Sequence, residues 1–407
     1  MNVVLSHPSK KSNGKLSITG SKSETNRLLL LQALFSGFSI ENSSESDDSE
    51  AMQVALSTKD NVIDVHHAGT AMRFLTAYFS HQEGRDIILT GSERMQERPI
   101  KILVEALRSI GASISYQKRE GYPPLIIHGK KLSGGMVELP ADISSQYISA
   151  LLMIGPVLEK GIQLKLIGKI TSVPYINMTL ALLNGFGVKT SFEGQNIEVE
   201  PQKNPIRKTQ IVESDWSSAS YYFSIAALSE ESEIELNSYK EDSLQGDKVL
   251  REIYSELGVL SKLEDQKLVL KKVPVSLPDS IHWDLSKAPD IAQTIVVSCY
   301  GLGIGCTLVG LHTLKIKETD RLQALYNELT KLGATISITE ESLHLEPGSN
   351  FVEGCSLPTY KDHRMAMAFA PLSLKVPLTI EDAEVVSKSY PAFWEDLKKI
   401  NFIVQER

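Results

Sequence analysis

Cysteine is scarce. The three residues Cys299, Cys306 and Cys355 form no C-x-x-C pair and have no histidine at metal-ligand spacing. That argues against a disulfide scaffold and a zinc module; His66-His67, adjacent rather than a helix turn apart, do not form a zinc pair. No basic start followed by an apolar stretch opens the chain, so no secretory leader is expected and a reducing, cytoplasmic setting is. Positive charge is short as well, with 42 Lys+Arg against 50 Asp+Glu and a net charge of −8. The basic pairs Lys10-Lys11, Lys130-Lys131 and Lys271-Lys272 are scattered, which argues against a nucleic-acid partner. One segment, Ile291 to Leu314, lacks charge over a membrane-spanning length. Gln293, Thr294, Ser298 and the glycines at 301, 303, 305 and 310 interrupt it, which predicts a buried helix, a glycine turn and a buried strand, and no membrane partner. Gly301-Leu-Gly-Ile-Gly follows a helical pattern, not a strand, and so is no dinucleotide fingerprint. There is no G-x-S-x-G nucleophile elbow. What remains is a 407-residue chain, 42% hydrophobic and 23% charged, with material for two or three domains.

Its strongest positive signal is an internal repeat. Six stretches, beginning near Gly14, Val62, Met136, Gln210, Ile281 and Ser356, each read as alternating apolar residues, a polar turn, then apolar residues at helical spacing. Their turn-to-helix junctions fall at Lys22, Gly69, Ser145, Ser217, Asp290 and His363, with gaps of 47, 76, 72, 73 and 73 residues. A second marker, L-x-x-h-G-h with h apolar, puts a helix-stopping glycine at 111, 187, 258 and 333, and Asn401 takes that place in the last copy. Each repeat therefore reads strand–helix–strand–helix–strand–strand, with the terminal hairpin nearly absent from the first. Six such repeats admit a solenoid, a closed ring or two compact groups of three.

The unusual polar residues sit at the repeated helix starts. Capping accounts for Ser46, Asp47, Ser243 and Asp247, at about 1 kcal/mol each. It does not account for Lys22, Arg27, Arg73, Arg98, Lys317, Arg321, Arg364 and Lys388, because a cation in a first turn opposes the helix dipole. An anionic ligand is the natural compensation. Asp290 and Glu318 lie at corresponding helix starts, with His363 at the matching point of the sixth repeat. Together these imply acid–base addition or elimination on polyanionic substrates, with no metal, cofactor or covalent enzyme intermediate.

At these residues the chain resembles the enolpyruvyl transferases. The runs Gly20-SKSETNR, Ala68-GTAMR, Arg94-MQERP, Ser144-SQ, Asp215-WSSAS, Ser243-LQGD, Pro289-D, Lys317-ETDR, Asp362-HRMAM and Lys388 occur in the family's order from Gly20 to Pro391. The resemblance implies an α/β fold, a two-domain inside-out α/β barrel of six βαβαββ-type units with the first truncated. It puts residues 21–213 in one three-unit domain, 1–20 plus 214–407 in the other, and hinges near 20–22 and 213–215, with a monomer closing on substrates in its cleft. Shikimate 3-phosphate would be held by Ser23, Arg27, Ser144, Ser145, Gln146, Ser172, Tyr175, Asp290 and Lys317. Phosphoenolpyruvate would be held by Lys22, Gly69, Arg98, Gln146, Arg321, Arg364 and Lys388. Asp290 would deprotonate the attacking hydroxyl, with Lys22 or Lys317 assisting. Glu318 would protonate the methylene carbon, and His363 would stand near this proton traffic. His67, Phe74, Val173 and Thr313 depart from the family pattern. The family member acting on UDP-N-acetylglucosamine usually carries a cysteine in the loop that here reads Gly91-SERMQERP, which has none.

Overall fold

The structure, a computed structural model, describes residues 1–407 except 142, 143, 169, 171, 172 and 207. The chain divides into two compact units: a continuous one, Ser21–Val212, and a split one, Met1–Gly20 with Glu213–Arg407. Each has its own hydrophobic core.

The second repeat shows the plan. Strand Val62–Asp64 leads through helix Gly69–His81 to a parallel strand, Asp86–Thr90. Helix Lys101–Ser109 follows, then the hairpin Ser113–Tyr116 and Leu125–His128, whose second strand pairs antiparallel with Asp86–Thr90. A parallel pair needs a crossover and an antiparallel pair only a turn, so this element order gives this strand order. Repeats three and five repeat it. Strand burial alternates, as in Ile162–Ile167, so each sheet has one face to the core and one to water. By contrast, the first helices of repeats two to five, Gly69–His81, Ser145–Ile154, Trp216–Leu228 and Ala292–Leu302, are buried on nearly every side. In Trp216–Leu228 every residue but Ser217 is buried, so these helices form the interior of each unit and the sheets its shell. Their hydroxyls pair with one another: Ser298 Oγ donates to Ser224 Oγ at 2.7 Å.

Two strand assignments differ from the sequence reading. Lys11–Leu16 pairs parallel with Glu231–Asn237 and so opens the fourth repeat, not the first. Gln210–Ile211 pairs parallel with Ile40–Glu41 and completes the first, a two-stranded sheet without a hairpin. The two strands exchange places because the chain passes between units right after each, at Gly20/Ser21 and Val212/Glu213. A strand can pair only within the unit it is left in. The sixth repeat likewise borrows its third strand: Val3–Ser6 lies between Leu378–Ile380 and Ile403–Glu406, antiparallel to both.

The helix stops fall where the spacing puts them. Gly111, Gly187, Gly258 and Gly333 have φ of 104°, 80°, 80° and 103°, and Asn401 has 75°. The uncharged stretch is a helix, Ala292–Leu302, a left-handed Gly303 and a strand, Gly305–Val309. Among the described residues no helix is long and apolar enough to cross a membrane.

Candidate functional site

In the continuous unit the first helices place a half-buried polar surface. Lys22 opens helix Lys22–Phe35, and its Nζ lies 3.3 Å from Asp48 Oδ2, in the first turn of helix Asp47–Ser57. One turn further, Arg27 is buried and pairs with no carboxylate among the described residues. Neutral groups hold it instead: Nε donates to Thr179 Oγ1 at 2.8 Å, Nη2 to Ser149 Oγ at 2.9 Å, and Nη1 to the Ser23 carbonyl at 2.7 Å. The Phe74 and Tyr175 rings lie 5.4 and 5.9 Å from its guanidinium carbon. Burial pulls its pKa down to about 10, which Tyr175 and Glu24 only partly offset. A cation held this way is ready for an anion, because burial strengthens its field and its hydrogen-bond partners are neutral.

Ser144 caps helix Ser145–Ile154, accepting from the Gln146 amide at 3.4 Å, and Gln146 reaches Thr70 Oγ1 at 3.1 Å. Gly69 opens its helix directly under Arg98: a Cβ there would stand 2.7 Å from Arg98 Nη1. Arg98 is half-buried and has no carboxylate within ion-pair distance among the described residues. Arg73 differs. It donates to the carbonyls of Gly69 at 3.2 Å and Pro99 at 3.4 Å, bracing the segment that carries Arg98. Ser172 lies outside the described residues.

In the split unit the charges form one buried cluster around Arg321. Asp320 caps helix Arg321–Lys331, accepting from the Gln323 amide at 3.1 Å. The Arg321 guanidinium meets three carboxylates: Nε donates to Asp362 Oδ2 at 2.7 Å, Nη1 to Asp290 Oδ1 at 2.8 Å, and Nη2 to Glu318 Oε2 at 2.9 Å. Asp290 and Glu318, from elements 28 residues apart in sequence, are thus fixed side by side on the two terminal nitrogens of one planar group. Lys317 Nζ is 3.3 Å from Asp290 Oδ1, Arg364 Nη2 3.5 Å from Asp290 Oδ2, and Lys388 Nζ 2.9 Å from Glu318 Oε1. Burial alone would raise Asp290; Lys317, Arg364 and Arg321 outweigh it and hold the carboxylate well below its usual range. Burial opposes the charge on Arg321 and Arg364 too, but the surrounding carboxylates keep both firmly protonated. His363 is buried, its Nδ1 3.7 Å from Asp362 Oδ1.

Some positions differ from the helix-start reading. Arg98 and Lys317 precede their helices, and Lys388 ends a 3-10 turn, Ala383–Lys388, because Pro99, the Asp320 cap and Pro391 delay each helix. Asp247 does not cap: it accepts a hydrogen bond from Ser217 Oγ across the unit interior. Asp48, Asp362, Ser217 and Gln293 join the site without a role assigned to them from sequence. Asp362 and Ser217 sit at marked helix starts, which was signal enough. The role of Gln293, whose reoriented amide bridges the Asp290 carbonyl at 3.2 Å and Arg321 Nε at 3.1 Å, follows only from the fold.

Comparisons with known proteins give the family and the fold. Residues 53–397 match the family model for EPSP synthase (3-phosphoshikimate 1-carboxyvinyltransferase). The chain is 47% identical over 408 residues to a 3-phosphoshikimate 1-carboxyvinyltransferase of Bacteroides fragilis, covering 99% of this chain and 98% of the relative. It is 34% identical to that of Haemophilus influenzae, covering 95% and 96%. Among solved structures, EPSP synthase from Acinetobacter baumannii superposes with a TM-score of 0.79 at 21% identity, over 100% of both chains. The enolpyruvyl transferase NikO from Streptomyces tendae superposes at 0.76 and 13% identity, over 99% and 98%. These likenesses establish the inside-out α/β fold.

Proposed function

Since the chain belongs to the EPSP synthase (3-phosphoshikimate 1-carboxyvinyltransferase) family, we propose that it transfers the enolpyruvyl group of phosphoenolpyruvate to the 5-hydroxyl of shikimate 3-phosphate. Phosphate is released after a tetrahedral adduct. The observation that carries this reading is the pair Asp290 and Glu318 on adjacent nitrogens of Arg321, among four cations.

The residues fit the steps. Ser23, Arg27, Ser144, Ser145, Gln146, Ser172 and Tyr175 hold shikimate 3-phosphate, with Arg27 as the anion-binding group. Lys22, the Gly69 amide, Arg98 and Gln146, with Arg321, Arg364 and Lys388, hold the anionic groups of phosphoenolpyruvate. Asp290, aided by Lys317, takes the proton of the 5-hydroxyl as its oxygen bonds to C2 of phosphoenolpyruvate. Glu318 delivers a proton to C3, making a methyl group. Loss of phosphate and of one C3 proton then gives the enol ether. In the free protein Asp290 is a weak base, because Lys317, Arg364 and Arg321 lower its pKa. Substrate phosphates and carboxylates draw those cations onto themselves. Binding thereby raises the basicity of Asp290 when its proton must be taken. His363 supports this traffic from behind Asp362. The protein works on small molecules in the cytoplasm, as a monomer.

A phosphate-release assay tests the reading. Phosphoenolpyruvate with shikimate 3-phosphate should release phosphate, and phosphoenolpyruvate with UDP-N-acetylglucosamine should not. Glu318→Gln and Asp290→Ala should each cut turnover by orders of magnitude while shikimate 3-phosphate still binds. Near-normal turnover in either variant removes that residue from the mechanism.

A further inference from the structure

One buried carboxylate near the cluster has no role in the transfer as described. Asp247 sits in the 3-10 turn Gly246–Val249, 4% exposed. Its Oδ2 accepts the Ser217 hydroxyl hydrogen, and Ser217 Oγ lies 3.3 Å from Arg364 Nη2. A hydroxyl has one hydrogen. With that hydrogen committed to Asp247, Ser217 presents only lone pairs to the guanidinium, so Asp247 sets the direction of the contact that Arg364 receives. We propose that Asp247, acting through Ser217, is a positioning residue that fixes Arg364 for the anionic group of phosphoenolpyruvate. This rests on the enolpyruvyl-transfer reading.

If Asp247 is neutral, its OH or NH2 group can donate to Ser217. The Ser217 hydrogen then turns toward Arg364, which also cannot accept one, and Arg364 falls back on Asp290, whose Oδ2 is already 3.5 Å away. The charged groups facing Asp247 are Arg364, which favours its ionised form, and Asp290 and Asp215, which oppose it. Burial is the largest influence, and the carboxyl is pushed up to about 6. The relay is therefore set above that pH and reverses below it.

The experiment measures KM for phosphoenolpyruvate from pH 5 to 8, in wild type and Asp247→Asn, as the ratio of variant to wild type. Ionisation of the substrate cancels in that ratio. We expect about a tenfold ratio at pH 8, the size of one hydrogen bond to a charged group. It should fall toward unity at pH 5, where wild-type Asp247 is itself protonated. Ser217→Ala should raise KM comparably, and the double variant no further. A ratio near unity at pH 8, one that does not change with pH, or additive effects of the two substitutions would each overturn the relay. The same ratio read from the calorimetric Kd for phosphoenolpyruvate needs no turnover. A wild type that binds phosphoenolpyruvate but releases no phosphate with shikimate 3-phosphate refutes the transfer reading, while the Kd ratio still decides the relay.

Discussion

Gly69→Ala separates binding from folding in one atom. The new Cβ would stand 2.7 Å from Arg98 Nη1 and 3.3 Å from its Cζ and Nη2. Ordinary contact begins near 3.4 Å, so the guanidinium must retreat by about 0.7 Å. The obstructing atoms are the far end of a flexible side chain, so the backbone need not move. Gly69 is also the first residue of its helix, where alanine is favoured by up to about 1 kcal/mol. The melting temperature should hold or rise slightly. Displacing a positioning cation by under an ångström costs on the order of 10- to 100-fold in a site of this kind. KM for phosphoenolpyruvate should rise by that factor, while shikimate 3-phosphate affinity stays within about twofold, since no group assigned to it has shifted. Steady-state kinetics with each substrate varied, beside a thermal melt, checks this. An unchanged KM for phosphoenolpyruvate would refute the placement of Arg98. Equal losses for both substrates, or a fall of many degrees in melting temperature, would show that the added methyl displaces the backbone.

Three further outcomes are expected. Arg27→Met should leave the melting temperature within a few degrees, because Thr179 Oγ1 already donates to Ser149 Oγ at 2.9 Å and neither is stranded; shikimate 3-phosphate binding by calorimetry should fall at least about 100-fold, the loss of a buried ionic contact. Asp290→Asn bears on pH: the native carboxyl lies below its ordinary 3.8, so its ionisation stabilises the fold above about pH 4 and that gain is lost as pH falls. The stability gap between wild type and this variant should therefore shrink below about pH 4 in urea titrations, and a constant gap would refute the cation influence. Leu5→Ala should cost about 2–4 kcal/mol in the split unit, since Leu5 is fully buried opposite Leu378. Hydrogen exchange should show Ser21–Val212 unaffected.

Much of this was legible before any coordinates. The repeat period located the helix starts, because an interior helix must begin where a strand ends and its turn must be polar. Cations at those starts pointed to anions, and Asp290 and Glu318 do stand among them. Two things were not legible. Strand exchange between the first and fourth repeats was hidden because the strands beginning near Gly14 and Gln210 carry the same local pattern. Only pairing with Glu231–Asn237 or Ile40–Glu41 tells them apart. Asp247 read as a cap because a carboxylate beside a helix start usually is one. Its partner Ser217 lies 30 residues earlier, and no local rule links them.

The borrowed strands have a kinetic consequence. Lys11–Leu16 leaves the ribosome early, yet its partner Glu231–Asn237 follows 220 residues later, and Val3–Ser6 waits for Ile403–Glu406. At ~5–20 residues per second, that last wait lasts roughly 20–80 s. The continuous unit has all its strand partners by Val212 and can fold meanwhile. Pairing Ile40–Glu41 with Gln210–Ile211 draws its two ends together, after which Gly20 and Ser214 can bridge. The 220-residue loop then collapses to a short one, so the early-folding half serves as a clasp that returns the waiting strand to its sheet. Substitutions that slow folding of Ser21–Val212 should therefore show their damage in the other unit, as aggregation through an unfilled sheet edge.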